Sequence, residues 1–224
     1  GLRYLRRDGA EPTWHPVIET RMADATNTSD FEILGPGPGP NQVYVIARPN
    51  DQNFTALYRF NTATGAFGEP VHAHPSADVT GAFFNPVTAE MLAFCTRTQR
   101  LECVAQTLEI RRDLASIQRA VGADLEVSIV AASDNDTVWL VYTEGPQEPG
   151  AYWGFDRTDR TLRRIVDVSP EAADTALAPT RVVDYTARDG EKLWAYVTGR
   201  HAPGEPPKPV VVLPHGGPEA RDVY

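Results

Sequence analysis

Three short apolar runs recur along the chain at nearly constant spacing: Val43-Tyr44-Val45-Ile46-Ala47, Met91-Leu92-Ala93-Phe94-Cys95 and Val138-Trp139-Leu140-Val141-Tyr142. They start at positions 43, 91 and 138, which are 48 and 47 residues apart. Each is short, rich in β-branched or aromatic residues and flanked by breakers, the mark of a buried strand. A turn-rich stretch precedes each one: Gly35 to Asn41, Asn85 to Thr88 and Ser133 to Thr137. After the first and third runs the pattern alternates by two, at Tyr58-Arg59-Phe60-Asn61-Thr62 and Trp153-Gly154-Phe155-Asp156-Arg157-Thr158. A further strand is predicted after each, at Glu69 to Ala73 and Leu162 to Val166. The middle unit departs from this order. Leu108, Ile110, Leu114, Ile117 and Val121 recur among Glu, Arg, Asp and Gln at helical spacing, which predicts a helix over 108–121 as an insertion.

Several strands per unit, repeating at about 47 residues, fit β-propeller blades, whose periods run at about 40–50. The alternative is one antiparallel sandwich with evenly spaced strands. It leaves unexplained why turn, buried strand and aromatic strand recur in the same order. Residues 1–175 would hold fewer than four blades, whereas propellers close with about four to eight. Open sheet edges are liable to aggregate, so the chain is expected to begin inside a larger domain.

The pattern changes at Ser169 to Pro179, an Ala- and Pro-rich stretch without periodicity that reads as a linker. Arg181 to Ala187 then alternates as a strand, Arg188-Asp189-Gly190-Glu191 supplies a hairpin turn, and Leu193 to Thr198 returns as its partner. After a Pro-rich loop, Pro209-Val210-Val211-Val212-Leu213 is a continuous β-branched run, expected to be a central strand buried on both faces. It ends in Pro214-His215-Gly216-Gly217-Pro218.

Composition narrows the function classes. Lys and Arg number 21 against 30 Asp and Glu, a net charge of −9, which argues against a nucleic-acid surface. No stretch approaches the roughly 18 apolar residues of a spanning helix. Gly1 to Asp8 shows neither an initiator Met nor the apolar core of a leader peptide. Nineteen Pro and seventeen Gly in 224 residues are too dense for a helical bundle. Two cysteines exclude a disulfide-rich scaffold and a four-Cys zinc site.

An apolar strand running straight into His-Gly-Gly-Pro resembles the oxyanion loop of α/β-hydrolases, where a backbone N–H after the third strand helps hold the tetrahedral oxyanion. With Pro in fourth place, and the hairpin around Tyr185-Thr186-Ala187-Arg188-Asp189-Gly190 before it, the run resembles the prolyl oligopeptidase family. Within that family it is most similar to the acylaminoacyl-peptidase and dipeptidyl-peptidase branch. The turns at Asn85-Pro86 and Ser133-Asp134 look like degenerate forms of a Ser-Pro-Asp-Gly-type turn that in the family precedes the inner strand. The resemblance implies a mostly β chain, with blades of a partial β-propeller over 1–175 and the first strands of an α/β-hydrolase domain over 176–224. It also implies a serine peptidase that hydrolyses short peptides through an acyl-enzyme, the propeller restricting access. Gly217 would donate its N–H to the oxyanion, Gly216 would permit the turn, and His215 would shape the loop. An esterase of the same fold and a non-catalytic propeller binding module are the alternatives. A hydrolase of this fold needs Gly-x-Ser-x-Gly, then an acid, then a His. None follows within the 224 residues, so the chain as it stands is expected to be an internal piece without hydrolytic activity. Its expected partners are a short peptide and the remainder of its own chain; no cofactor is expected and the oligomeric state is left open.

Other residues carry weaker signals. Glu219, Arg221 and Asp222 would lie near the cleft, as substrate contacts or as solvated charges. His72 and His74 put two imidazoles on one strand face, but without a third ligand they do not make a metal site. The Gly35 to Pro40 run has no Lys and no helix start, so it is a stiff loop and not a phosphate cradle. Asp134 and Asp136 are explained by Asx hydrogen bonding in a turn.

Leu101-Glu102-Cys103-Val104-Ala105 reads as the hairpin partner of the strand ending in Cys95. Opposed residues in a hairpin share a constant index sum, and a turn centred on Gln99 sets Cys95 opposite Cys103, with Cα atoms about 4.5–5.5 Å apart. That separation permits a disulfide, which would place the protein in the periplasm or outside the cell. A one-residue slip would put the two on opposite faces, leaving buried free thiols in a cytoplasmic protein.

Overall fold

A computed structural model describes residues 2–20, 31–49, 52–172, 175–200, 206 and 209–216. The chain is mostly β. A hairpin of β1 (Leu2–Arg6) and β2 (His15–Thr20) comes first. A four-stranded meander follows, β3 (Phe31–Pro36), β4 (Gln42–Ala47), β5 (Ala56–Asn61) and β6 (Ala66–His72). The second meander has three strands, β7 (Asp78–Phe84), β8 (Met91–Arg97) and β9 (Leu101–Ala105), and leads into helix α1 (Leu108–Val121). The third has four: β10 (Glu126–Ala132), β11 (Val138–Gly145), β12 (Glu148–Asp156) and β13 (Thr161–Asp167). A 3-10 turn at Pro170–Ala172 precedes a last hairpin, β14 (Thr180–Thr186) and β15 (Lys192–Thr198). Every sheet is antiparallel and its strands lie side by side in chain order, the topology of propeller blades.

The three recurrent apolar runs are the second strands β4, β8 and β11, each paired on both sides. The first turn of each meander contains a left-handed non-glycine residue: Asn41 (φ 59°), Ala89 (φ 60°) and Asp136 (φ 55°). Asn and Asp tolerate this region because their short polar side chains bond locally. The turns therefore join first to second strands. The first strands β3, β7 and β10 lie before them, where no strand was expected. All three carry a register shift against the second strand, between Ile33 and Gly35 in β3, Val79 and Gly81 and again Phe83 and Phe84 in β7, and Ile129 and Ala131 in β10. A bulge breaks the two-residue period, which is why alternation did not betray them.

The first and third meanders also share a second turn. The Asn61 carboxamide oxygen accepts the N–H groups of Ala63 and Thr64 (2.9 and 3.1 Å), and Asp156 accepts that of Thr158 (2.8 Å). Thr62 N–H donates to the Asn41 carbonyl (2.7 Å) and Arg157 N–H to that of Thr137 (2.9 Å), tying second turn to first in both sheets.

The chain divides into two compact units, Gly1–Arg112 and Asp113–Gly216. In the first, Phe31, Val45, Ala47, Ala56, Tyr58 and Phe60 form one core, with Phe67 edge-on to Tyr58 and Phe60. A second cluster, Ile46, Leu57, Val79 and Phe94, joins the first two meanders. Thr55 closes the end of that seam, donating its N–H to the Asp78 carboxylate (2.8 Å) and reaching the Val79 carbonyl with its hydroxyl (2.9 Å).

Helix α1 lies after β9, where a fourth strand would come in chain order. Thr107 caps it, its hydroxyl accepting the Ile110 N–H (3.2 Å), and Gly122 ends it at φ 101°. In the second unit the helix presents Asp113, fully buried, to the third meander. Arg157 Nε and Arg160 Nε each donate to the Asp113 carboxylate at 2.9 Å. Arg157 also pairs with the Asp136 carboxylate and donates to the Asp136 carbonyl (2.7 Å). The guanidinium lies 4.5 Å from the Trp139 ring centre, and Trp139 Nε1 donates to Asp136 (2.7 Å). Asp136 thus belongs to an ion-pair network, a role beyond the turn hydrogen bonding expected of it. Asn135 takes the Asx part, accepting the Thr137 N–H at 3.3 Å.

Residues 210–213 do not form the expected buried strand. They carry no regular secondary structure, and Val210 to Leu213 are 80–82% exposed. Among the described residues no strand pairs with them, and a β-branched run is buried only where neighbours cover it.

Replacing Asp113 by Ala strands Arg157 and Arg160 beside a buried, empty position. We expect a stability loss of about 3–5 kcal/mol in urea unfolding, and a smaller loss for Arg160→Ala, whose side chain is 41% exposed. Equal, sub-kcal effects of both would show that the network does not hold the helix.

Candidate functional site

The segment that carries the proposed oxyanion loop bounds a cavity of about 540 Å³ within the second unit. One wall is the turn between β11 and β12, with Glu144, Glu148 and two prolines; another is the last hairpin, with Thr180, Tyr196 and Thr198. Val211 and Leu213 complete it. These two belong to the exposed run leading to His215 and Gly216.

The turn is held from behind. Glu148 accepts from Arg164 through both oxygens (2.9 and 3.3 Å), which raises the Arg164 pKa above its ordinary value. Arg164 also lies 5.1 Å from the Trp153 ring centre. Trp153 in turn donates its Nε1–H to the Thr143 hydroxyl (2.8 Å). Glu144 accepts the Tyr142 hydroxyl at 3.0 Å. Burial, and then that hydrogen bond to an anion, push the Tyr142 pKa up. A hydroxyl pair, Thr180 and Thr198 at 2.7 Å, links the two hairpin strands within that wall. The walls therefore combine carboxylates, hydroxyls and apolar surface, a set suited to binding.

The predicted loop residues are placed as follows. His215 and Gly216 are exposed, and His215 Nδ1 lies 2.7 Å from the Gly216 carbonyl oxygen, to which the Nδ1–H tautomer donates. A Cβ at Gly216 would meet no atom within 4 Å. Gly217 lies outside the described residues, as do Glu219, Arg221 and Asp222. His72 and His74 take separate partners. His72 ends β6, stacks on Phe94 at 4.5 Å and lies 3.3 Å from the Thr96 hydroxyl, whereas His74 Nδ1 accepts the Ser76 N–H. Among the described residues no group of three His, Cys, Asp or Glu side chains could hold a metal ion. Cys95 and Cys103 are direct cross-strand partners, and their sulfurs are bonded. Their Cα atoms are 4.0 Å apart, closer than the 4.5–5.5 Å expected.

Sequence reasoning missed the cavity. Its signal was available in the turn Glu144-Gly145-Pro146-Gln147-Glu148-Pro149, where two carboxylates flank a Gly-Pro pair. What could not be read was that the last hairpin would face it.

No family model matches the chain. Its sequence is 28% identical over 231 residues to dipeptidyl aminopeptidase BIII of Pseudoxanthomonas mexicana, a match spanning all of this chain and 32% of that protein. A prolyl endopeptidase structure superposes with a TM-score of 0.54 at 12% identity, over 88% of this chain and 27% of the other, which shows a shared fold. Prolyl oligopeptidase B from Galerina marginata matches at 0.48 over 82% of this chain, too low to bear on the argument. The chain thus spans about a third of the curated relative's length. The resemblance to prolyl oligopeptidase-family peptidases read from the sequence is borne out.

His72 supplies a prediction. Burial, and then repulsion from His74, lower its pKa below the ordinary 6.5. The folded chain therefore binds that proton less readily than the unfolded one, so stability rises with pH up to about the unfolded value and falls as the medium acidifies below it. In thermal melts between about pH 5 and 7.5, His72→Gln should flatten the acid side of the profile. An unchanged slope would mean that His72 contributes nothing to it.

Proposed function

We propose that the chain is part of a serine peptidase of the prolyl oligopeptidase type, which hydrolyses short peptides through an acyl-enzyme. The observation that carries this reading is the similarity to a dipeptidyl aminopeptidase along the whole of the chain. The blade-type meanders would restrict access to short peptides. The run His215-Gly216-Gly217-Pro218 would form the oxyanion loop, with Gly217 N–H donating to the tetrahedral oxygen as the peptide carbonyl is attacked. Gly216 lets the backbone approach the substrate without a Cβ in the way, and the His215 ring, bonded to the Gly216 carbonyl, shapes the turn. Nucleophile, base and acid would come from sequence beyond these residues, which hold no Gly-x-Ser-x-Gly.

Two measurements test this. The 224-residue chain should not be labelled by a fluorophosphonate probe; labelling of any serine in it would contradict the absence of a nucleophile. In the longer protein, peptide p-nitroanilides should be cleaved, and Gly217→Pro, which removes the donor, should lower kcat by about 10²–10³. Gly217→Ala, which keeps the N–H, should lose far less. Turnover of p-nitrophenyl esters with no peptide cleavage would make the protein an esterase instead, and equal losses in the two variants would remove Gly217 N–H from the mechanism.

A further inference from the structure

We propose that the Cys95–Cys103 bond is a permanent staple, set while the second meander folds and closed to reduction as long as β8 and β9 stay paired, so that the protein matures in an oxidising compartment. The two residues oppose each other in the middle of a five-pair ladder, between Phe94–Val104 and Thr96–Glu102. Cys95 is 2% exposed, in a strand whose Leu92, Ala93, Phe94 and Thr96 are also buried. Cys103 is half-buried. They are the chain's two cysteines, and neither is free.

Reduction by a dithiol would need one thiolate to attack a sulfur, forming a mixed disulfide and expelling the other cysteine as a thiolate. The second thiol of the reagent then closes its own disulfide and releases the remaining cysteine, leaving two protein thiols and one oxidised dithiol. Cys103 is the less buried of the two residues. Attack there expels the Cys95 thiolate into an apolar strand, where a charge without a partner is disfavoured. Attack on Cys95 requires β8 to be uncovered. The one route is slowed by the cost of the Cys95 thiolate and the other needs an opened hairpin, so in the proposal reduction proceeds mainly through the fraction of time the ladder is open. The same geometry runs in reverse: the bond is made most readily before the strands zip, by an oxidant of the thiol–disulfide class present during folding. Compartments that supply one are the periplasm, the secretory lumen and the exterior.

The experiment uses the longer protein in its native host. Cells are quenched in acid, free thiols are alkylated with a mass tag during unfolding, and the tags on the peptides carrying Cys95 and Cys103 are counted. The purified protein is then reduced with dithiothreitol with and without denaturing urea. We expect both cysteines untagged in the quenched sample, and native reduction slower than that of the urea-unfolded chain by about a hundredfold or more. Tagged, reduced cysteines in the quenched sample would overturn the compartment and with it the staple. Native reduction at the unfolded rate would overturn the claim that strand pairing protects the bond. Neither result depends on peptidase activity, so failure here is distinct from failure of the functional reading.

Discussion

The buried carboxylate of Asp113 constrains the second unit more than any other single group. It cannot be left without cations in an apolar setting, and the cations it draws, Arg157 and Arg160, come from the turn that ends β12. Holding that turn fixes Arg157 against Asp136 and the face of Trp139. The helix is thereby fastened to the first and second turns of the third meander at once. A helix that interrupts a strand repeat would otherwise have only its apolar face to dock with.

That anchoring carries through to the candidate site. Strand β12, fixed at one end by Arg157, carries Glu148 at the other, where Arg164 and the Trp153–Thr143 bond hold the turn that walls the cavity. The last hairpin contributes another wall through Thr180, Tyr196 and Thr198. Val211 and Leu213 also line the cavity, and their apolar surface stays open.

Much of this was legible in the sequence because the successive antiparallel meanders repeat their instructions. The runs at 43, 91 and 138, the alternating strands around Phe60 and Phe155, the helix over 108–121 and the hairpin about Gly190 all rest on local pattern, and all form. The first strands β3, β7 and β10 were hidden by register shifts that break the alternation within each of them. The role of Asp136 was hidden for a different reason: its partners lie 21 and 3 residues away at Arg157 and Trp139, and no periodic rule connects them. The 210–213 run has the composition of a central strand, but composition alone cannot supply the neighbours that would bury it. Of His-Gly-Gly-Pro, the structure describes only His215 and Gly216.

The central claim is that Gly217 N–H meets the oxyanion of a peptide-cleaving serine enzyme. A crystal structure of the longer protein covalently bound to a peptidyl phosphonate tests it most directly. The account predicts the phosphonyl oxygen that mimics the oxyanion about 2.7–3.1 Å from Gly217 N, with Gly216 lying against the inhibitor backbone. An oxyanion held entirely by groups outside residues 215–218, or a loop turned away from the bound phosphonate, would contradict it.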